Sequence, residues 1–197
     1  MGICMVARAL SDEKIQALMA NPPLVWRVVS PEDVDFYLKE TGQTKPPGFF
    51  ERILGVKRQW PPKVPSFEFT GSELVEVDLD KSWDGINFCI KKIARSAGYP
   101  NLFADGKAVG KVEVGYGPAM CFMAHDVVKI EEFYSSITKA ELLAQYVPAE
   151  MKGVYLDGLW QRGGNDGREY LTENFATLKA FLSSVKANHL GILIQYT

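Results

Sequence analysis

Two histidines, His125 and His189, and three cysteines, Cys4, Cys89 and Cys121, are the side chains of this 197-residue chain best suited to act as bases, nucleophiles or metal ligands. Neither histidine lies three or four residues from another His or Cys, so no zinc motif forms. General-base work needs an oriented partner, and the spacing supplies none. His125 is expected at a helix start and His189 just before the last strand, both in structural or solvated roles. The cysteines are scattered among apolar neighbours without a Cys-x-x-Cys pair, and read as buried small hydrophobes of a reducing compartment.

Other patterns fail on a named residue. Asp78, Asp80, Ser82 and Asp84 alternate like a calcium loop, but Trp83 occupies the glycine position and Cys89 the position of the bidentate Glu. Gly115 and Gly117 begin a dinucleotide fingerprint that Met120 breaks. The glycine-rich run 163–167 lacks the Lys and hydroxyl of a phosphate loop. Ala94 replaces the first glycine of a nucleophile elbow around Ser96. No metal and no cofactor is expected.

The elements that would position any site are legible from period and punctuation. Ile3 to Leu10 predicts a strand, and Ser11 caps a helix to about Ala20 with Ile15 and Leu18 inward. Asn21-Pro22-Pro23 stops it. Ser30 is expected to cap a helix with Pro31 in its first position and Val34, Tyr37 and Leu38 on its apolar face. Leu74 to Asp78 reads as extended. Lys81 to about Ala94 reads as a helix, with Leu79, Trp83, Ile86 and Ile90 in one stripe and Asp78 or Asp80 as its cap. Lys111–Tyr116 and Ala119–Met123 predict two strands around a turn or bulge at Gly117-Pro118. Helices are expected over 126–135, after Thr138, and over Tyr170 to Lys186, with a further turn at Pro148. The 163–167 run reads as a flexible loop, and Leu190 to Tyr196 as a buried strand. The irregular order points to an α+β domain with a small, mostly antiparallel sheet packed with several helices.

Composition narrows the classes. The chain has 22 basic and 24 acidic side chains, a net charge of -2, which removes the electrostatic drive toward nucleic acid. No run reaches the roughly 18 apolar residues of a membrane span, and no basic leader precedes the first apolar stretch. A cytoplasmic protein is expected. Residues 43–66 form a Pro-rich inserted segment with Phe49, Phe50, Ile53 and Trp60. It is either packed on the core or an exposed element that touches a partner or a membrane surface.

Two motifs carry a resemblance. Leu79-Asp80-Lys81-Ser82-Trp83-Asp84-Gly85-Ile86-Asn87-Phe88 and Gly115-Tyr116-Gly117-Pro118-Ala119 resemble segments of the YfbM-like family of uncharacterised bacterial proteins. Tyr155, Trp160 and the last helix fall in the family's order, and the resemblance spans 1–20 and about 74–197. Asp84 and Asn87 depart from it where many members carry His, as do Met120, where Arg is common, and Leu156, where Pro is. The resemblance implies a single compact α+β domain and no established activity.

On these grounds the chain is expected to be a non-catalytic module with a protein partner, one that neutralises a toxin or regulates that partner. The alternative is an enzyme or small-ligand binder with a pocket near Trp83 and Tyr116. The residues expected to bind ligand or partner are Lys81, Trp83, Asp84, Asn87, Tyr116, Tyr155 and Trp160. Trp83 is also readable as a core anchor, since aromatics dominate core burial.

Overall fold

A computed structural model describes residues 2–45, 53–54, 62–94, 98–162 and 164–197. In chain order the elements are β1 (Met5–Leu10), α1 (Asp12–Ala20), α2 (Trp26–Val29), α3 (Val34–Glu40), β2 (Glu76–Asp78), α4 (Trp83–Ile93), β3 (Lys107–Glu113), β4 (Pro118–Phe122), α5 (Ala124–Ser136), α6 (Lys139–Ala144), α7 (Asp157–Gln161), α8 (Asn165–Ala187) and β5 (Gly191–Tyr196). Tight 3-10 turns occupy Pro22–Val25, Gly71–Leu74 and Pro148–Glu150. The fold is α+β, with one five-stranded antiparallel sheet ordered β2-β1-β5-β4-β3.

β5 sits at the centre because its sequence has little that needs water. Gly191 through Gln195 are all buried. Alternation sends Ile192 and Ile194, with Met5, Ala7 and Ala9, into a core built by α4 to α8. Leu193, with Ala119 and Cys121, faces a second core of Ile15, Leu18, Val25 and Tyr37 from α1 to α3. Each fully buried Leu, Ile or Val contributes about 1.5–3 kcal/mol, so covering both faces stabilises a sheet of short strands. The edges resist pairing with other chains. β2 has three residues, and β3 shifts register between Ala108 and Glu113, with exposed Lys107 and Lys111.

Several boundaries depart from the sequence expectation. Within the 163–167 run, Asn165 to Gly167 are helix rather than flexible loop, since α8 already begins at Asn165, while Gly163 lies outside the described residues. Asp166 suits the positive helix end, and a Cβ on Gly167 would lie 2.5 Å from Tyr146 Oη, so the glycine is a packing residue. Asp33, not Ser30, caps α3, accepting the Asp35 N–H at 2.9 Å. β3 ends at Glu113, so 114–116 join the turn expected at Gly117 rather than the strand. Neither Asp78 nor Asp80 caps α4, whose first residue follows Ser82. Thr138 does cap α6 as expected: its hydroxyl accepts the Glu141 N–H at 3.1 Å while the Glu141 carboxylate accepts the Thr138 N–H at 2.8 Å.

In the Pro-rich segment, Phe49, Phe50 and Trp60 lie outside the described residues, and Ile53 is exposed. Val64, Phe67 and Phe69 pack on the second core. No helix among the described residues is long and apolar enough to cross a membrane.

Candidate functional site

The first motif ties the start of the chain to three distant segments. Trp83 begins α4 and donates its indole N–H to the Ile3 carbonyl at 3.0 Å. The Ile3 N–H donates to Tyr155 Oη at 2.6 Å. Tyr155 stacks on Trp83 with centroids 6.2 Å apart, and Tyr196 meets the same indole edge-on at 4.9 Å. One residue further, Asp84 Oδ2 accepts the Tyr155 N–H at 2.9 Å, and the Tyr155 carbonyl accepts the Trp160 indole N–H. Gly85 faces Trp160, where a Cβ would stand 2.6 Å from the indole. The motif's Trp, Asp and Gly thus each answer a partner within residues 155–160.

Asp80 is the polar pivot. Its backbone is left-handed, with φ 46°, and its carboxylate accepts from Tyr170 Oη at 2.7 Å and from Cys4 Sγ at 3.3 Å. The Tyr170 hydrogen bond is the main cause that holds its carboxyl below the usual range. Burial, then the Asp80 bond, push the Cys4 thiol up, and the same two causes raise the Tyr170 phenol. Cys4 is therefore not a fully buried small hydrophobe, as its neighbours in sequence suggest, but a part-buried thiol on a carboxylate. The cluster is charged once and internally bonded, which suits holding a surface in place more than moving protons.

The structure brings Lys81, Trp83, Asp84, Asn87 and Tyr155 to one side of the domain. Lys81 lays its stem against Gly2. Asp84 and Asn87 line a cleft of about 280 Å³ with Phe88, Lys91, Glu150 and Lys152. Asn87 is 6% exposed; its amide donates to Asp84 Oδ1 at a long 3.5 Å and its carbonyl accepts from Asn101 at 3.1 Å. Trp160 is fully buried beneath them. Tyr116 is apart from the cleft, on the turn between β3 and β4, where it is 59% exposed. It is joined to the group through Tyr196, whose carbonyl accepts the Tyr116 N–H at 2.8 Å. Burial, then the Asp84 charge, push the Tyr196 phenol up to about 12.

That turn depends on Gly115, whose φ is 146° and whose added Cβ would collide with the Tyr196 carbonyl. Gly115→Ala is expected to cost about 1–3 kcal/mol through backbone strain. Gly71→Ala, at a site with open space, is expected to change stability by less than about 0.5 kcal/mol. Urea unfolding of the two variants checks the contrast.

A cavity of about 610 Å³ was not legible in the sequence. It opens between α1, the 100–107 segment and the end of β4, with Met19, Cys121, Phe122 and Met123 on its walls and Asp105, Lys107 and Asp126 among its polar groups. Three separated stretches build it, so no local spacing announces it. Burial pushes the Cys121 thiol up to about 11 and the Cys89 thiol up to about 12, which keeps both protonated near neutral pH. Of the histidines, His125 lies in the first turn of α5, exposed, 3.2 Å from Asp126, and His189 precedes β5 with φ 54°. Among the described residues no three His, Cys, Asp or Glu side chains converge as metal ligands.

A family model described as a domain of unknown function, DUF1877, matches residues 1–195. No match was found among curated proteins. The solved structure of YfbM from Escherichia coli, described as a protein of unknown function, is similar with a TM-score of 0.53, 13% identity and 99% of each chain covered. At that identity the likeness speaks for the fold.

Proposed function

The chain belongs to the DUF1877 family, and from that premise we propose that it is a non-catalytic protein-interaction module of the cytoplasm that neutralises or regulates its partner. The observation that carries this reading is Tyr116: a large aromatic side chain, 59% exposed, held outward by a turn pinned to Tyr196. Tyr and Trp supply contact area at low entropic cost, and binding hot spots are enriched in them. Trp83, Tyr155 and Tyr196 form a half-buried aromatic row, with Trp83 donating to the Ile3 carbonyl and Tyr155 Oη accepting the Ile3 N–H. Lys81 and Asp84 supply charges of both signs beside it. The free thiols of Cys4, Cys89 and Cys121 agree with a reducing compartment.

Tyr116→Ala tests the reading. A tagged wild-type chain is expected to retain a stoichiometric protein from its native lysate, and that protein, once purified, to bind Tyr116→Ala about 30-fold more weakly. That is the loss of roughly 2 kcal/mol expected at a hot spot. The melting temperature should not move, because the ring is exposed. Equal affinity for both chains would sink the proposal.

A second reading, a small-ligand binder or enzyme, rests on the Asp84–Asn87 cleft, where a buried carboxamide makes one long bond from its N–H₂ group. It predicts that Asn87→Ala alters retention of a small molecule while Tyr116→Ala leaves it unchanged.

A further inference from the structure

The walls of the 610 Å³ cavity carry three sulfur side chains that the interaction reading does not use. Cys121 Sγ, near the end of β4, lies 3.7 Å from Met19 Sδ on α1. Met123, two residues beyond Cys121, lines the same cavity. This is the opposite end of β4 from the Tyr116 turn.

We propose that this cavity binds a soft monovalent cation, Cu(I) or Ag(I), through Cys121 Sγ, Met19 Sδ and the Met123 thioether. Thiolate and thioether ligands select Cu(I) over harder ions. The spacing suits one metal: with metal–sulfur bonds of roughly 2.3 Å, as for zinc thiolates, two ligands at trigonal to tetrahedral angles stand roughly 3.7–4.0 Å apart. Cys121 is 4% exposed and packs with Met19 and Met123 in the second core, yet all three residues line about 610 Å³ of open space, the route by which an ion would arrive. The thiol proton is now donated to the Lys107 carbonyl at 3.2 Å. On binding, the S–H bond breaks, a Sγ–metal bond forms, and the proton leaves to solvent. The metal keeps its oxidation state. Thiolate and cation cancel in charge, and Asp105, Asp126 and Lys107, which face the cavity, offer the hard donors and the one cation that Cu(I) does not seek.

The test uses the Cys4→Ser chain, which removes the part-exposed thiol, titrated anaerobically with Cu(I) supplied as its bicinchoninate complex. One equivalent is expected to transfer, with an ultraviolet sulfur-to-copper absorption and a sulfur-only shell by X-ray absorption. Cys4→Ser/Cys121→Ser is expected to take none, and Cys4→Ser/Met19→Leu to bind at least about tenfold more weakly. Because one proton leaves per ion, apparent affinity should rise about tenfold per pH unit below the thiol's pKa. Circular dichroism establishes that each variant is folded. No transfer to the Cys4→Ser chain, or equal transfer to folded Cys4→Ser/Cys121→Ser or Cys4→Ser/Met19→Leu, overturns the proposal.

Discussion

Trp160→Ala is expected to destabilise the domain by about 3–5 kcal/mol, the range for emptying a buried aromatic site. For a chain of this size that lowers the melting temperature by roughly 6–20 °C. Trp160 is 0% exposed, stacks on Tyr170 with centroids 6.0 Å apart and meets Tyr146 edge-on at 6.3 Å. Its indole N–H also fixes the Tyr155 carbonyl. Gly85 offers an internal check, because a Cβ there would stand 2.6 Å from the indole. Gly85→Ala alone should cost about 1–3 kcal/mol through overpacking. In the Trp160→Ala background the clash is gone, and Ala is favoured over Gly in a helix by about 1 kcal/mol. The double variant should therefore be no less stable than Trp160→Ala alone. Urea denaturation of the four chains measures the coupling. Additive losses would show that Gly85 and Trp160 do not meet.

Glu73→Gln is expected to cost about 3 kcal/mol at pH 7, with a pH signature of its own. Glu73 is 5% exposed. Burial alone would raise its pKa. Its carboxylate, however, accepts from Lys14 Nζ at 2.6 Å and from the N–H groups of Thr70 and Ser11 at 2.9 Å. Those bonds outweigh the burial and hold the pKa at about 2, against an ordinary 4.5. That separation corresponds to about 3 kcal/mol. The folded-state pKa is depressed, so the contribution is fully present above about pH 5 and is lost as pH falls through about 2. The stability gap between wild type and Glu73→Gln should therefore be constant from pH 5 to 8 and close as pH falls toward 2. Asp80 and Glu131, whose carboxyls are also held low, add slope to both chains and cancel in the difference. A gap independent of pH would contradict the assignment.

Patterning along the chain revealed the elements whose faces are periodic. The stripe Leu171, Phe175, Leu178, Leu182 and Val185 of α8 is buried, as is the run that became β5. Local chemistry also located the Thr138 cap. What escaped was decided by tertiary contact. Gly167 looks like a loop residue but sits in a helix, where Tyr146 leaves no room for a side chain. α2, a single turn of Trp26–Val29, has no period to detect. Gln195 is polar yet central, because register places it on the strand that both cores bury.

The same divide runs through the site. The spacing of Trp83, Asp84, Gly85 and Asn87 placed them together on α4, and their resemblance to a family motif drew attention to them. That Trp83 answers Ile3, that Asp84 answers Tyr155, and that Trp160 is core rather than surface are matters of chain crossing that no local pattern carries. Cys4 is a case in point: its apolar neighbours in sequence hide the Asp80 carboxylate that reaches it from 76 residues away.

The central claim is that the face carrying Tyr116, Lys81, Trp83, Asp84 and Tyr155 meets a protein partner. Amide hydrogen exchange, comparing the free chain with its complex with the protein that the proposal expects it to retain, addresses it most directly. The account predicts slowed exchange at residues 81–84, 115–117 and 152–155, with the cavity walls at 15–20 and 121–123 unchanged. Protection confined to those cavity walls, or absent from 115–117, would contradict it.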